Sequence, residues 1–322
     1  MVETIKEKIM GKVTEMLGIE YPILCGAMGG VSRPDLVIAV AQAGGMGILA
    51  TAGSKPERVL EDVQRIKAET DKPFGANIML MSPNYEEVLQ ILLDEGVRFF
   101  TTGAGNPIPL FQPIHDRGGI VFPVVPSARV AKKMEDHGAD GVIVEGTEAG
   151  GHVGEATTMT LTRLAAKAVN DIPVIAAGGI ADGHGLVAAY ALGAAGVQLG
   201  TVFAASKEAP IHENYKQAII NATDTSTFIS GKQAGVPIRI EKNEAALKHI
   251  ELDQQLGMTS HELESYTLPS LVRAAKDGNI TDEIVTYGQI AGLIEKSKSV
   301  KEIIEGIVQE AEEVVSQLDI HR

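Results

Sequence analysis

Eight short apolar runs recur between residue 20 and about 205, and helical stretches separate them at a spacing of roughly 20 to 30 residues, the rhythm of consecutive βα units. The runs are PILCGAM (22–28), MGILAT (46–51), FGANIMLM (74–81), VRFFTTG (97–103), IVFPVVP (120–126), DGVIVEG (140–146), IPVIAAGG (172–179) and AGVQLGTVFA (195–204). Each is apolar along most of its length, which predicts parallel strands buried on both faces. The intervening stretches PERVLEDVQRIKAET (56–70) and YEEVLQILLDEG (85–96) have helical spacing, and Gly96 stands where a helix C-terminus is expected.

Eight such units form either a closed barrel or a doubly wound open sheet. The barrel is favoured because Gly178-Gly179 follows the seventh run and Gly200-Thr201 lies in the eighth, the two places where a barrel commonly binds phosphate. A dinucleotide-binding fold needs a longer glycine pattern after its first strand than Gly26-Ala27-Met28-Gly29-Gly30 supplies. The expected fold is therefore α/β, a TIM-type (β/α)8 barrel. Residues 1–205 hold the βα units and an N-terminal amphipathic helix marked by Ile5, Ile9, Val13 and Leu17. Residues 206–280 read as short polar and helical pieces with few strand signals, an inserted small subdomain over the catalytic face. Residues 281–322 return through TYGQIAGLIEK (286–296) to a terminal helix. Its stripe of Val300, Ile303, Ile304, Ile307, Val308, Ala311, Val314, Val315 and Leu318 is expected to close the barrel.

Composition narrows the partners. Charged groups interrupt the amino-terminal helix, so it does not read as a leader. No stretch approaches the roughly 18 consecutive apolar residues of a membrane span, and a soluble, cytoplasmic protein is expected. A formal charge of −14 opposes nucleic acid or an anionic membrane as the main partner. The single cysteine, Cys25, excludes an internal disulfide and a cysteine-rich metal site, and reads as a small buried hydrophobe rather than a nucleophile.

Barrel active sites lie at the C-terminal ends of the strands. Here those ends carry no lysine for a Schiff base and, among carboxylates, only Glu145, so no metal site is expected. They carry glycine, amide and hydroxyl instead: Gly26, Asn77, Thr101, Thr102, Gly103, Gly178, Gly179, Gln198, Gly200 and Thr201. Such a set lets backbone approach a flat organic cofactor that brings its own reactivity. Asn77 and Gln198, amides within strands, read as ligand contacts in preference to an internal polar network. Of eight histidines, His115 and His137 sit near helix ends, and His212, His249, His261 and His321 lack strand-end context. His184 begins the seventh helix, near the expected phosphate or in solvent. His152 lies in the glycine-rich loop 147–159 after the sixth run, which gives it a catalytic or substrate role over that of a solvated loop residue.

The segments PFGANIMLMSPN (73–84), TTGAGNP (101–107), PVVPS (123–127), EGTEAGGHVG (145–154), PVIAAGGIADG (173–183), QLGTVF (198–203) and GQIAGL (288–293) closely resemble the flavoprotein enoyl-acyl carrier protein reductases of bacterial fatty acid synthesis. Nitronate monooxygenases, formerly 2-nitropropane dioxygenases, share that fold, the FMN site and the loop histidine. NIMLMSP, TTGAGNP and EAGGHVG resemble the reductase branch more, whereas Gly29 stands where those reductases carry a bulkier residue. The resemblance implies that Gly26, Ala27 and Met28 pack against the flavin ring, that Asn77 bonds to it and that Glu145, Gly150 and Gly151 lie alongside. It also implies that Gly178, Gly179, Gln198, Gly200 and Thr201 hold the ribityl phosphate, that Gly288 and Gln289 complete the site, and that His152 is the catalytic histidine.

The activity so implied is reduction of an enoyl thioester on acyl carrier protein, with FMN as cofactor and NADH or NADPH as co-substrate. It comes with a homodimer and activation by monovalent cations. The competing readings are oxidation of nitronates by dioxygen on the same flavin and, more distantly, a non-redox phosphate-binding barrel.

Overall fold

A computed structural model of the chain describes residues 11–318. Ile5, Ile9 and His321 lie outside these residues. The barrel units run α1 (Lys12–Leu17), β1 (Ile23–Cys25), α2 (Pro34–Gln42), β2 (Gly47–Ala50), α3 (Pro56–Glu69), β3 (Phe74–Met79), α4 (Tyr85–Asp94), β4 (Phe99–Gly103), α5 (Ile108–His115), β5 (Ile120–Val125), α6 (Ala128–Asp136) and β6 (Val142–Glu145). A two-residue strand, β7 (Gly151–His152), precedes α7 (Thr158–Ala168), β8 (Val174–Ala177), α8 (Gly183–Ala191), β9 (Gly196–Leu199) and α9 (Thr201–Ala204).

All eight long-run strands pair in parallel in the order β1-β9-β8-β6-β5-β4-β3-β2, so the barrel expectation holds. Closure comes from a single bridge, Leu24 to Met46, with Cys25 N–H donating to the Met46 carbonyl and Met46 N–H to that of Ile23, both at 2.9 Å. The period of two along each strand sorts residues inward or outward. Inward lie Leu24, Met46, Ile48, Phe99, Phe122, Ile143 and Ile175, joined by Val13 and Leu17 of α1; Phe99 and Phe122 meet edge to face at 5.2 Å. Outward residues such as Ile23, Cys25, Val197 and Leu199 pack on α2 and α8, and Ala76, Ile78, Phe100, Val142 and Val144 pack on the helices of the opposite flank.

The eighth run is shorter as a strand than the sequence suggests. It ends at Leu199, and Thr201–Ala204 makes a helical turn whose Phe203 and Ala204 N–H groups bond to the Gly200 carbonyl at 3.0 Å. Val202, Phe203 and Ala204 are buried in the outer core, and a short buried apolar run has the same pattern as helix or strand.

The segment from 206 onward contains strands that its polar composition conceals. β10 (Thr227–Ser230) and β11 (Ile238–Glu241) form an antiparallel hairpin, and β7 joins its edge, placing Gly151 opposite Arg239 and His152 opposite Ile238. Ile238 and Ile240 face an apolar cluster with Ala245, Ala246 and Ile284. The flanking helices are α10 (Glu213–Ile220), α11 (Glu244–Asp253) and α12 (Ser260–Asp277), the last started by a Thr259/Glu262 capping box.

The chain returns through a 3-10 turn at Gln289–Leu293 to α13 (Val300–Gln317). Val300, Ile303, Ile304, Ile307 and Ala311 are buried on α2 and α8, Val308, Val314 and Val315 half-buried, and Leu318 exposed. This helix covers the outer layer; the strand bonds at Leu24 and Met46 close the barrel, because a helix cannot supply the missing ladder partners. No helix among the described residues is long and apolar enough to cross a membrane.

Candidate active site

Above the apolar interior the next inward-facing positions are Gly26, Asn77, Thr101, Glu145, Ala177 and Gln198, set by the same alternation that buries Leu24, Phe99, Ile143 and Ile175 below them. Polar groups therefore gather at the C-terminal mouth. Asn77 donates from Nδ2 to Thr101 Oγ1 at 2.9 Å, and its side-chain oxygen has no partner among the described residues. Gln198 is 7% exposed, and its amide makes no hydrogen bond among the described residues. Gly26 lies against it, since a Cβ there would stand 3.6 Å from Gln198 Cγ and Cδ. Burial pushes the Glu145 carboxyl up from its ordinary value near 4.5 to about 7, against an opposing pull from His152. Around neutral pH it is therefore divided between a protonated form that can donate and an ionised form that cannot.

The glycines predicted from the seventh and eighth strands converge with those of the returning segment. Gly288 N–H donates to Thr201 Oγ1 at 2.9 Å, and Gln289 N–H donates to the Glu148 carbonyl at 3.0 Å. Gly150 has no room for a side chain, because a Cβ would stand 2.5 Å from the carbonyl carbon of Tyr287. Gly178 at φ +92° and Gly179 at φ +70° occupy the left-handed region that glycine tolerates. They border Ala149 and Glu148, and Met28 Sδ lies beside Gly200. The structure thus brings Met28, Gly150, Gly178, Gly179, Gly200, Thr201, Gly288 and Gln289 to one side of the mouth, next to Gly26 and Gln198. Ala27 borders the interior cluster. Asn77 enters from β3, across the barrel.

His152 stands at the rim. Its Nε2 is 2.7 Å from Glu264 Oε1 of α12, with the imidazole 43% exposed and the carboxylate 9%. The loop carrying it is fixed at both ends. Glu148 accepts from the N–H and hydroxyl of Thr158 at the start of α7, and Arg239 binds the carbonyl of Thr147.

Glu148, Arg239, Glu264 and Tyr287 escaped sequence reading. A glutamate ten residues before Thr158 was a faint sign for Glu148, but Arg239 and Glu264 come from a segment whose strands are not legible.

Five of the other histidines have structural partners. His115 Nε2 is 2.9 Å from Asp140 and His137 Nδ1 is 2.7 Å from the Lys133 carbonyl. His212 caps α10, and His249, fully buried, lies between Ser230 and Thr267. His184 is 3.2 Å from Glu310 of α13 on the outer layer. Cys25 points outward into the core, where burial pushes its thiol up to about 12; it is a buried hydrophobe. A hollow of about 500 Å³ lined by Asp35, Ile38, Gln42, Glu69, Lys207 and Pro210 lies on the outer side of α2, away from the strand ends.

The mouth suits a flat heterocycle carrying a phosphate. Gln198, Glu145 and the side-chain oxygen of Asn77 present polar groups inward that have no partner among the described residues, and at Gly29, Gly103 and Gly151 a Cβ would meet open space. Thr201 accepts from Gly288 and keeps its hydroxyl hydrogen free to donate.

The model of the nitronate monooxygenase family matches residues 11–88 and 80–310. The structure of FabK from Thermotoga maritima superimposes with a TM-score of 0.92 at 42% identity, over 95% of this chain and 97% of that one. A nitroalkane oxidase from Streptomyces ansochromogenes superimposes at 0.86 with 26% identity, over 96% of this chain and all of the other. A Mycobacterium tuberculosis protein named (3aS,4S,5R,7aS)-5-hydroxy-7a-methyl-1-oxo-octahydro-1H-indene-4-carboxyl-CoA dehydrogenase is 34% identical across 93% of this chain and 95% of its own length. The nitronate monooxygenase of Pseudomonas aeruginosa is 31% identical across 73% and 82%.

Proposed function

The chain belongs to the nitronate monooxygenase family of oxidoreductases, and on that premise we propose that it is an FMN-dependent enoyl-acyl carrier protein reductase. The observation that carries the proposal is the likeness to FabK, an enoyl-acyl carrier protein reductase, at 42% identity along nearly the whole chain, against 26% for the nitroalkane oxidase. The carboxyl-CoA relative also favours a thioester. The proposed partners are an enoyl thioester on acyl carrier protein, NADH or NADPH, a monovalent cation and a second copy of the chain.

Both branches of this family use flavin, and the residues at the mouth fit FMN. The backbone at Gly178, Gly179 and Gly200 and the hydroxyl of Thr201 would hold the phosphate. Gln198 and Asn77 would bond the ring, with Gly26, Ala27 and Met28 against one face, Glu145, Gly150 and Gly151 beside it, and Gly288 and Gln289 completing the enclosure. FMN, when bound, would supply hydride transfer from the nicotinamide to the β-carbon of the enoyl thioester. Charge then develops on the thioester oxygen, and His152 at the rim would donate to that oxygen or to the α-carbon. Burial raises the Glu145 carboxyl, which lowers the negative charge it would place beside the electron-rich ring.

Anaerobic mixing with NADH, followed by crotonyl thioester, tests the proposal: bleaching of the flavin absorbance and its return on adding the thioester are expected. Oxygen consumption with a nitroalkane, together with failure of the thioester step, would instead assign the chain to nitronate oxidation, the reading that the family model and the Pseudomonas relative favour.

A further inference from the structure

His152 and Glu264 are separated by 112 positions in the chain and by 2.7 Å in space. The partner is not needed to hold the loop. The bonds of Arg239 to Thr147, of Glu148 to Thr158 and of β7 to β11 already fix its backbone on both sides of His152. The carboxylate is also poorly satisfied for a structural group, since Glu264 is 7% exposed and its Oε2 has no hydrogen-bond partner among the described residues. A buried carboxylate oxygen left without a donor is costly, and stability does not account for its placement.

We propose that Glu264 is a positioning residue for His152, through which helix α12 fixes the imidazole by Nε2 and reserves Nδ1 for the substrate. The inference rests on the reductase reading, where His152 meets the thioester. An ionised carboxylate can only accept, so Nε2 carries hydrogen whenever the pair is bonded. Nδ1 has no partner among the described residues. With the ring doubly protonated, the Nδ1–H bond breaks as the bond to the substrate α-carbon or oxygen forms. A neutral imidazole remains, with Nε2–H still on Glu264, and solvent returns the proton to Nδ1. The carboxylate partner holds the plane of the ring during the transfer.

Glu264→Gln, with Glu264→Ala as a second variant, tests this in three ways on the protein as purified. Reoxidation by crotonyl thioester should slow about 10- to 100-fold, below the range for loss of the proton donor itself, while reduction by NADH and flavin content stay unchanged. In a His152→Ala background the same substitution should have no further effect, because a residue that acts only through its partner shows complete coupling. Nitrogen-15 spectra of the histidines should show a hydrogen-bonded Nε2 proton on His152, lost in Glu264→Ala.

Losses that multiply in the double variant would overturn the inference, and so would wild-type reoxidation in Glu264→Gln when His152→Ala is slow. Wild-type reoxidation in His152→Ala would instead remove the histidine from the proposed reaction, and the spectra alone would then decide whether Glu264 holds the ring.

Discussion

Arg239 donates from Nε and Nη2 to the carbonyl oxygen of Thr147, at 3.0 and 2.8 Å, so a strand of the inserted segment grips the loop that leads to Gly150 and His152. Its Nη1 reaches Thr227 Oγ1 at 3.0 Å, and the residue is 5% exposed. Truncation to alanine would orphan the Thr147 carbonyl and leave a cavity, at a cost of about 2–4 kcal/mol. Lysine offers a point charge in place of a planar fork and should recover little. Urea denaturation of Arg239→Ala and Arg239→Lys measures both; wild-type stability in either would show that the loop is held elsewhere.

Gly179→Glu should abolish flavin binding. The position has φ +70°, and its Cβ would sit 3.2 Å from that of Glu148, so strain and a new carboxylate fall together where phosphate is expected. The purified wild-type protein should release FMN, and no FAD, on heating. Stoichiometric FMN in the variant would place the phosphate site elsewhere.

A pH dependence follows from Glu145. Its folded carboxyl titrates at about 7 against an ordinary value of 4.5, so the unfolded chain loses this proton first as pH rises. The contribution to stability is complete below pH 4.5 and is lost as pH climbs through 7. Flavin-free Glu145→Gln should therefore melt with a weaker pH dependence across that window than flavin-free wild type. Parallel melting curves would mean that water reaches the carboxyl freely.

His152→Ala should slow reoxidation by crotonyl thioester by roughly 10²- to 10⁴-fold, the range for a lost general acid or oxyanion donor. FMN content should hold, because the proposed cofactor contacts come from backbone and amide groups. Stopped-flow measurement of the two half-reactions separates these effects. An unchanged second step would return His152 to the status of a solvated rim residue.

The sequence by itself determined the barrel and one side of its mouth. Strands buried on both faces must be continuously apolar, so eight runs announced eight strands, and the glycines at 178 and 179 marked backbone that a side chain would obstruct. The loop position of His152 was legible for the same local reason. Tertiary structure alone decided what His152 touches and what holds its loop. β10 and β11 are short and partly polar because one face packs on helices and the other on the barrel loops, so Arg239 reads as surface charge until its strand pairs with Gly151. Glu264 sits on a helix whose neighbours give no sign of a partner 112 residues away. Local pattern encodes periodicity and chain geometry, whereas contacts across the fold exist only once the inserted sheet has docked on the barrel.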